Sequence, residues 1–258
     1  FTPNSVVSGR SPITVSGQPL ANDSGTSYGP VSLSTALTQS INTVWAQVAL
    51  KVGPSTLQQY MQRLGFYGLP PIDLPSGELA VSGVRYPNRA GYLPLTGGAD
   101  VGRVGIGEGG LEVTPLQMAM VAAAVANDGR LMVPHLTREI RNADGQLVQT
   151  VAPRLWSTVM KVSTARQVGQ MMQNVVRDGT GTQAALAGII VAGKTGTAQD
   201  CTNQSVCTTN QVWFIAYAPL VHPKIAVAVT LEHQNGFGGA IAAPIARQVI
   251  QALVGGGA

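Results

Sequence analysis

The sequence predicts an α+β fold, mostly helical over about residues 31–180 and sheet-bearing over about 181–258. Apolar residues recur at helical spacing through the first part. Three β-rich runs then follow one another, parted by turn residues, with a helix after them. Helices and strands therefore segregate, where a parallel sheet would have them alternate. Composition agrees. Apolar residues make up 45% of the 258, enough for a sizeable core and too many for a disordered chain. Only 11% are charged, against about 25% in an average domain, which also excludes a coiled coil.

Residues 1–30 are rich in Ser, Gly, Pro, Asn and Thr and read as loop, with Ile13-Thr14-Val15 as a weak strand signal. Ser32 is placed to cap a helix over about 33–51, whose apolar positions Leu33, Leu37, Ile41, Val44, Trp45 and Val48 follow helical spacing. Gly53 stops it. Pro54 and Ser55 open a second helix through Leu64, closed by Gly65. Residues 66–110 are Gly- and Pro-rich without a period, and so long a stretch in a compact domain has a functional or covering role. Thr114 and Pro115 open the clearest helix as N-cap and first helical residue, and Asp128-Gly129 close it after Asn127. Residues 147–151 alternate as a short strand, and Ser163 caps a helix over about 164–177. The β-rich runs are 189–193, 212–217 and 224–231; residues 219–223 join the last two as an antiparallel hairpin. A final helix spans about 243–254. No internal repeat of solenoid period occurs.

The net charge is +4, and the basic residues form no run longer than two, so nucleic acid is not an expected partner. A membrane span needs about 18 uninterrupted apolar residues. The best run, 118–126, has nine and reads as a buried helix. Residue 1 is Phe and no signal peptide follows, which suggests a piece of something longer. Cys201 and Cys207 stand six apart in a polar stretch without a nearby His. A metal site normally needs about four ligands, so none is expected. The pair reads either as a small disulfide loop in an oxidising compartment or as two free surface thiols. Nothing points to an organic cofactor.

Few residues are suited to chemistry. Lys194-Thr195-Gly196-Thr197 follows an apolar strand in a chain with little lysine. Gly196 lets a ligand lie close to the strand, and the two threonines can donate hydroxyl hydrogen bonds to an anion. The alternative is a polar strand end with a snorkelling lysine. Ser40-Ile41-Asn42 puts two poor helix formers inside the first predicted helix, which marks a local break or site, or else an exposed polar face. The Gly-rich segment 105–117 runs into a helix but has neither a leading strand nor a Gly-Lys-Ser/Thr ending, which argues against a phosphate cradle. His135, His222 and His233 lack partners at suggestive spacing. Glu108 and Glu112 read as satisfying backbone donors ahead of the helix, with a carboxylate pair as the alternative.

Taken in order, Ser40-Ile41-Asn42, the 105–117 segment with its Thr-Pro-Leu-Gln ending, Lys194-Thr195-Gly196-Thr197 and the run Trp213 to Pro219 closely resemble the transpeptidase domain of the penicillin-binding proteins. These are the serine acyltransferases that cross-link peptidoglycan, and the likeness is to the class B, monofunctional type. The resemblance implies an antiparallel sheet flanked by helices plus a mainly helical subdomain, the fold also found in serine β-lactamases, with the site at their junction. It implies D,D-transpeptidase activity on D-Ala-D-Ala stem peptides, β-lactams as ligands, and the extracytoplasmic face of a bacterial membrane as location. Family roles carry over at matching positions. Ser40 relays protons to the leaving amine, Asn42 holds the substrate backbone, and Lys194 supports electrostatics and proton traffic around Ser40. Thr195 and Thr197 bind the terminal carboxylate beside Gly196, and the Thr197 N–H is one oxyanion donor. Loss of one such donor typically costs about 2.7–4 kcal/mol. A Cys201–Cys207 disulfide would stiffen the rim of this site.

One departure is serious. The family nucleophile sits in a Ser-x-x-Lys motif ahead of Ser-x-Asn. Lys51, Lys161, Lys194 and Lys224 are preceded at three residues by Val48, Thr158, Val191 and Val221, so no Ser-x-x-Lys exists here. The expectation is a nucleophile just before residue 1, on an upstream segment that also carries the central active-site helix, the first sheet strands and a membrane anchor. On this view the fold is N-terminally incomplete and the chain alone is inactive. The competing functions are a D,D-carboxypeptidase and a non-catalytic module that binds β-lactam, peptidoglycan or a partner.

Overall fold

The computed structural model describes residues 1–86, 90–201 and 207–255, and the side chains of 200, 201, 207 and 208 are also outside it. The fold is α+β, with helices covering an antiparallel sheet. Short two-stranded ladders occupy the first 160 residues. β1 (Val6–Ser8) pairs with β4 (Pro30–Ser32), β2 (Ile13–Val15) with β3 (Gln18–Leu20), and β5 (Gly83–Val84) with β6 (Leu111–Glu112). β7 (Arg130–Met132) pairs with β10 (Leu155–Thr158), and β8 (Glu139–Arg141) with β9 (Leu147–Thr150). Residues 1–30, read as loop apart from 13–15, thus carry three further strands.

The predicted helix 33–51 is two helices, α1 (Leu33–Thr38) and α2 (Asn42–Val52). The cause is Ser40, whose φ of +54° lies in the left-handed region. Ser32 caps α1 as expected, its side chain accepting from the Thr35 N–H. Ile41 is fully buried between the helices and holds the break in place. α3 (Pro54–Arg63) starts on its proline. The unpatterned 66–110 stretch folds around its own small core of Met61, Phe66, Val84, Leu95 and Val104. One turn of helix, α4 (Val101–Val104), lies there, capped by Asp100. α5 (Pro115–Ala126) begins at the Thr114 cap as the sequence predicts. α6 (Val162–Asp178) follows.

The main sheet has the order β11 (Ala192–Cys201), β12 (Cys207–Ala218), β13 (Ile225–Gln234), all antiparallel. β11 starts three residues later than predicted and runs on through Lys194-Thr195-Gly196-Thr197, so this segment is strand and not strand end. α7 (Gly238–Val254) begins five residues earlier than predicted and packs on β12 and β13. Alternation along β12 sends Val212, Phe214, Ala216 and Ala218 into the core with α7. Tyr217 points the other way, towards α5 and α6. Trp213 and Ile215, on that same face, are only half-buried and border an open cavity. Among the described residues the outer edge of β13 has no strand partner, and no helix is long and apolar enough to cross a membrane.

Candidate active site

The fold brings Ser40 and Lys194 together across 154 residues. Lys194 Nζ donates to Ser40 Oγ at 2.8 Å, to the Thr195 carbonyl at 2.7 Å, and weakly to Thr195 Oγ1 at 3.4 Å. The β11–β12 ladder places Lys194 here, pairing it with Ile215 and Gly196 with Trp213. The ammonium end is desolvated, and that burial lowers its pKa from 10.5 to about 8. An amine poised near neutrality can exchange protons with a hydroxyl at working pH.

Ser40 is presented by the break between α1 and α2. Its N–H donates to Leu37 O, and the next N–H, of Ile41, reaches back to Ala36 O. Asn42 is the first residue of α2, with its side-chain amide 3.5 Å from the Ala21 carbonyl. Thr195 and Thr197 border the same cavity, of about 1080 Å³. Thr195 Oγ1 lies 2.7 Å from Thr180 Oγ1, and Thr197 Oγ1 accepts from the Gly238 N–H at 3.1 Å. The first turn of α7 therefore stands against the threonine strand and brings its partial positive charge to that wall. Gly196 faces the other side of the strand, towards Trp213 and the open cavity that it borders; a Cβ there would meet Trp213 Cβ at 3.0 Å. All six residues singled out, Ser40, Asn42, Lys194, Thr195, Gly196 and Thr197, thus lie around one junction between helices and sheet. The arrangement can bind a carboxylate against two hydroxyls and move a proton between an amine and a hydroxyl beside it.

Two sequence readings change. Among the described residues, neither Glu108 nor Glu112 makes a side-chain bond to a backbone donor ahead of α5. Glu112 accepts from Tyr92 at 3.0 Å and pairs with Arg85 at 3.4 Å. Glu108 lines both the large cavity and a second one, of about 370 Å³, on the Trp213 and Ile215 face of the sheet. Burial pushes its carboxyl pKa up, more than the Arg103 charge pulls it down. Residues not foreseen also shape the site. Arg103 donates to Asp100 at 2.7 Å and to the Val15 and Pro19 carbonyls at 3.2 and 2.9 Å, pinning segment 15–19 beside the cavity. Its i,i+3 spacing from Asp100 was the one local signal. Thr180 and Asn22 gave none. Among the described residues no group of His, Cys, Asp or Glu could hold a metal.

The register sets Cys201 opposite Cys207 at the far end of the β11–β12 ladder, but both side chains lie outside the described residues.

Residues 7–251 match the model of the penicillin binding protein transpeptidase domain. The peptidoglycan D,D-transpeptidase PbpA of Mycolicibacterium smegmatis is 33% identical over 253 residues, covering 95% of this chain and 49% of that protein. The peptidoglycan D,D-transpeptidase MrdA of Haemophilus influenzae is 35% identical over 241 residues, covering 87% and 36%. The structure of penicillin-binding protein A from Mycobacterium tuberculosis as a ceftriaxone acyl-enzyme superposes with a TM-score of 0.86 at 28% identity, covering 98% of this chain and 56% of that one. The chain therefore spans about half the length, or less, of these relatives.

Proposed function

The chain belongs to the penicillin-binding-protein transpeptidase family, with relatives of the class B type, and on that premise we propose that it supplies most of the active site of a D,D-transpeptidase. The reaction is acyl transfer from a D-Ala-D-Ala stem peptide to an amine, and β-lactams enter the same cavity. The observation that carries this reading is the 2.8 Å bond between Lys194 Nζ and Ser40 Oγ, set beside the Thr195–Thr197 wall. Thr195 and Thr197 hold the substrate's terminal carboxylate, and Asn42 holds its backbone. Ser40 passes a proton to the leaving D-alanine amine, with Lys194 as the neighbouring store. The Thr197 N–H is one donor to the developing oxyanion.

No Ser-x-x-Lys occurs in these 258 residues, so the acylating serine comes from elsewhere in the protein. Two features support an upstream segment as its source. The outer edge of β13 is a ten-residue strand without a partner among the described residues. The cavity of about 370 Å³ between β11 and α5 is bordered by Met118, Trp213 and Ile215, an apolar seat beside Lys194. The same segment provides the membrane anchor that places the site on the extracytoplasmic face. An oxidising location suits a disulfide. Directly opposed antiparallel residues have Cα atoms about 4.5–5.5 Å apart, within the about 4.4–6.8 Å that a disulfide spans, and the Cys201–Cys207 register supplies that opposition.

Intact-mass measurement before and after penicillin tests the reading. The complete gene product gains one penicillin, and the 258 residues alone gain none. A complete product that stays unmodified sinks the transpeptidase reading. The lack of a Ser-x-x-Lys in this stretch then favours a non-catalytic β-lactam-binding module.

A further inference from the structure

The first turn of α2 carries Asn42, yet it has no cap of its own. The residue at its N-cap position is Ile41, whose side chain cannot accept a hydrogen bond. α1, α4 and α5 are capped locally by Ser32, Asp100 and Thr114. For α2 the acceptor comes from 21 residues away. The Thr43 N–H, in the first turn, donates to Asn22 Oδ1 at 2.9 Å. Asn22 is 5% exposed and uses its whole amide. Its Nδ2 donates to Gly9 O at 3.0 Å and to Thr26 O at 2.9 Å, while its own backbone N–H is held by Ser11 Oγ at 2.9 Å. Side-chain amides buried in this way rarely leave their partners, because each lost partner would be an unsatisfied polar group.

Asn22 also belongs to the cavity wall, on segment 19–24, which Arg103 pins through Pro19 O. One side chain therefore joins three things: the wall, the start of α2, and through α2 the strained turn at Ser40. Left-handed backbone at a serine persists only where its surroundings over-determine it. The supports at Ser40 are the C-terminus of α1 and the first turn of α2.

We propose that Asn22 is a positioning residue of the active site, acting as the cap in trans that fixes the first turn of α2 and thereby the placement of Ser40 and Asn42 against Lys194. This rests on the transpeptidase reading for its consequence in rate, but not for the cap itself. Misplacing a reacting group by about 1 Å can cost on the order of 100-fold, so a frayed first turn slows chemistry while leaving the rest of the cavity able to bind.

The test uses the complete gene product with a fluorescent penicillin, together with hydrogen exchange at the Thr43 amide. In the unsubstituted protein the Thr43 amide is protected. Asn22→Ala removes the acceptor, and both the Thr43 protection and the acylation rate constant fall by about 10- to 100-fold, with little change in the pre-covalent affinity for penicillin. Asn22→Asp keeps an acceptor for the Thr43 N–H but turns a carboxylate oxygen towards the Gly9 and Thr26 carbonyls; it melts lower, yet retains more Thr43 protection than Asn22→Ala and acylates faster than it. Asn22→Ala acylating at the unsubstituted rate overturns the proposal, and so does Asp failing as badly as Ala while remaining folded by thermal melting. If Asn22→Ala does not fold, the unsubstituted protein still decides: a Thr43 amide exchanging as fast as an exposed one ends the proposal. An unsubstituted product that takes no penicillin counts against the function, and the exchange at Thr43 then judges the cap alone.

Discussion

Lys194 and Ser40 touch, but the two sides of the cavity are held by different means. On the sheet side, Lys194 to Thr197 lie opposite Ile215 to Val212 in an unbroken antiparallel ladder. Partners are 15 to 21 residues apart in sequence, and every residue has its place through period-2 alternation. On the helical side, Ser40 sits at a φ of +54° between two helices. Its surroundings are tied down by Asn22 to Thr43 and, across 88 and 84 residues, by Arg103 to Val15 and Pro19. The sheet side is stiff because of its neighbours in sequence. The helical side is stiff only once the whole first hundred residues have come together. The contrast teaches that the half of the site that looks simplest in sequence, a short Ser-x-Asn, is the half that depends most on distant contacts.

That contrast can be broken at its meeting point. Lys194→Met keeps most of the side chain's volume and removes the ammonium that donates to Ser40. Acyl transfer by the complete protein should fall by about 10²–10⁴-fold, the usual contribution of a positioned proton donor or acceptor. Stability should hold or rise at neutral pH, since the desolvated ammonium opposes folding. The sign follows from its lowered pKa. Between about 8 and 10.5 the unfolded chain keeps a proton that the folded protein has given up. Stability therefore increases with pH through that window, and Lys194→Met flattens the slope. Activity assays and melts across pH 7–11 read both.

The sheet side is tested at its contact with α7. A Cβ on Gly238 would strike the carbonyl oxygens of Trp213 and Gly196, which are backbone and cannot step aside cheaply. Gly238→Ala should cost about 3 kcal/mol, the upper end for overpacking, visible as a lower urea midpoint at unchanged slope. The helical side is tested at Ser40 with two variants that both lack the hydroxyl. Ser40→Gly should be about 1 kcal/mol more stable than Ser40→Ala, because only glycine accepts the left-handed backbone without strain. Equal stabilities would mean that the turn relaxes once the hydroxyl is gone. The smallest effect is expected at Glu108, on the rim shared by both cavities. Its raised pKa marks a carboxylate that disfavours folding when ionised. Glu108→Gln should melt slightly higher at pH 7, with the gain fading as pH drops to the ordinary carboxylate value of 4.5. A gain that persists at lower pH would point to packing in place of charge.

The sheet, the caps at Ser32 and Thr114, and the six residues around the junction were legible because their signals are local. Strand alternation, an N-cap, a proline at the first turn and a short motif all fit within one element. The break at Ser40 was half visible, as two poor helix formers side by side, but helical spacing ran straight across it. The periodicity of Leu37, Ile41 and Val44 survives because Ile41 still points inward after the chain has changed direction. The fold of 66–110 was illegible: its core residues come from Met61 to Val104 at irregular spacing, and no period describes a cluster assembled from turns. Asn22 could not be read at all. An asparagine in a Ser-, Gly- and Pro-rich loop looks like turn chemistry, and only the folded chain shows which amide it caps. Glu108 was misread for a related reason, since whether a carboxylate meets backbone or cavity is decided by the loop that carries it.

The two glycines that open α7 constrain the paths open to this lineage. Every single-base change that replaces a glycine adds a side chain. At Gly238 the new atom would meet the backbone of Trp213 and Gly196, and at Gly239 that of Thr180. A first step at either codon therefore starts from a loss of stability. Drift towards a wider or narrower site meets less resistance at neighbours with side chains to trade, such as Phe237, Gln183 or Gln199, which border the same space.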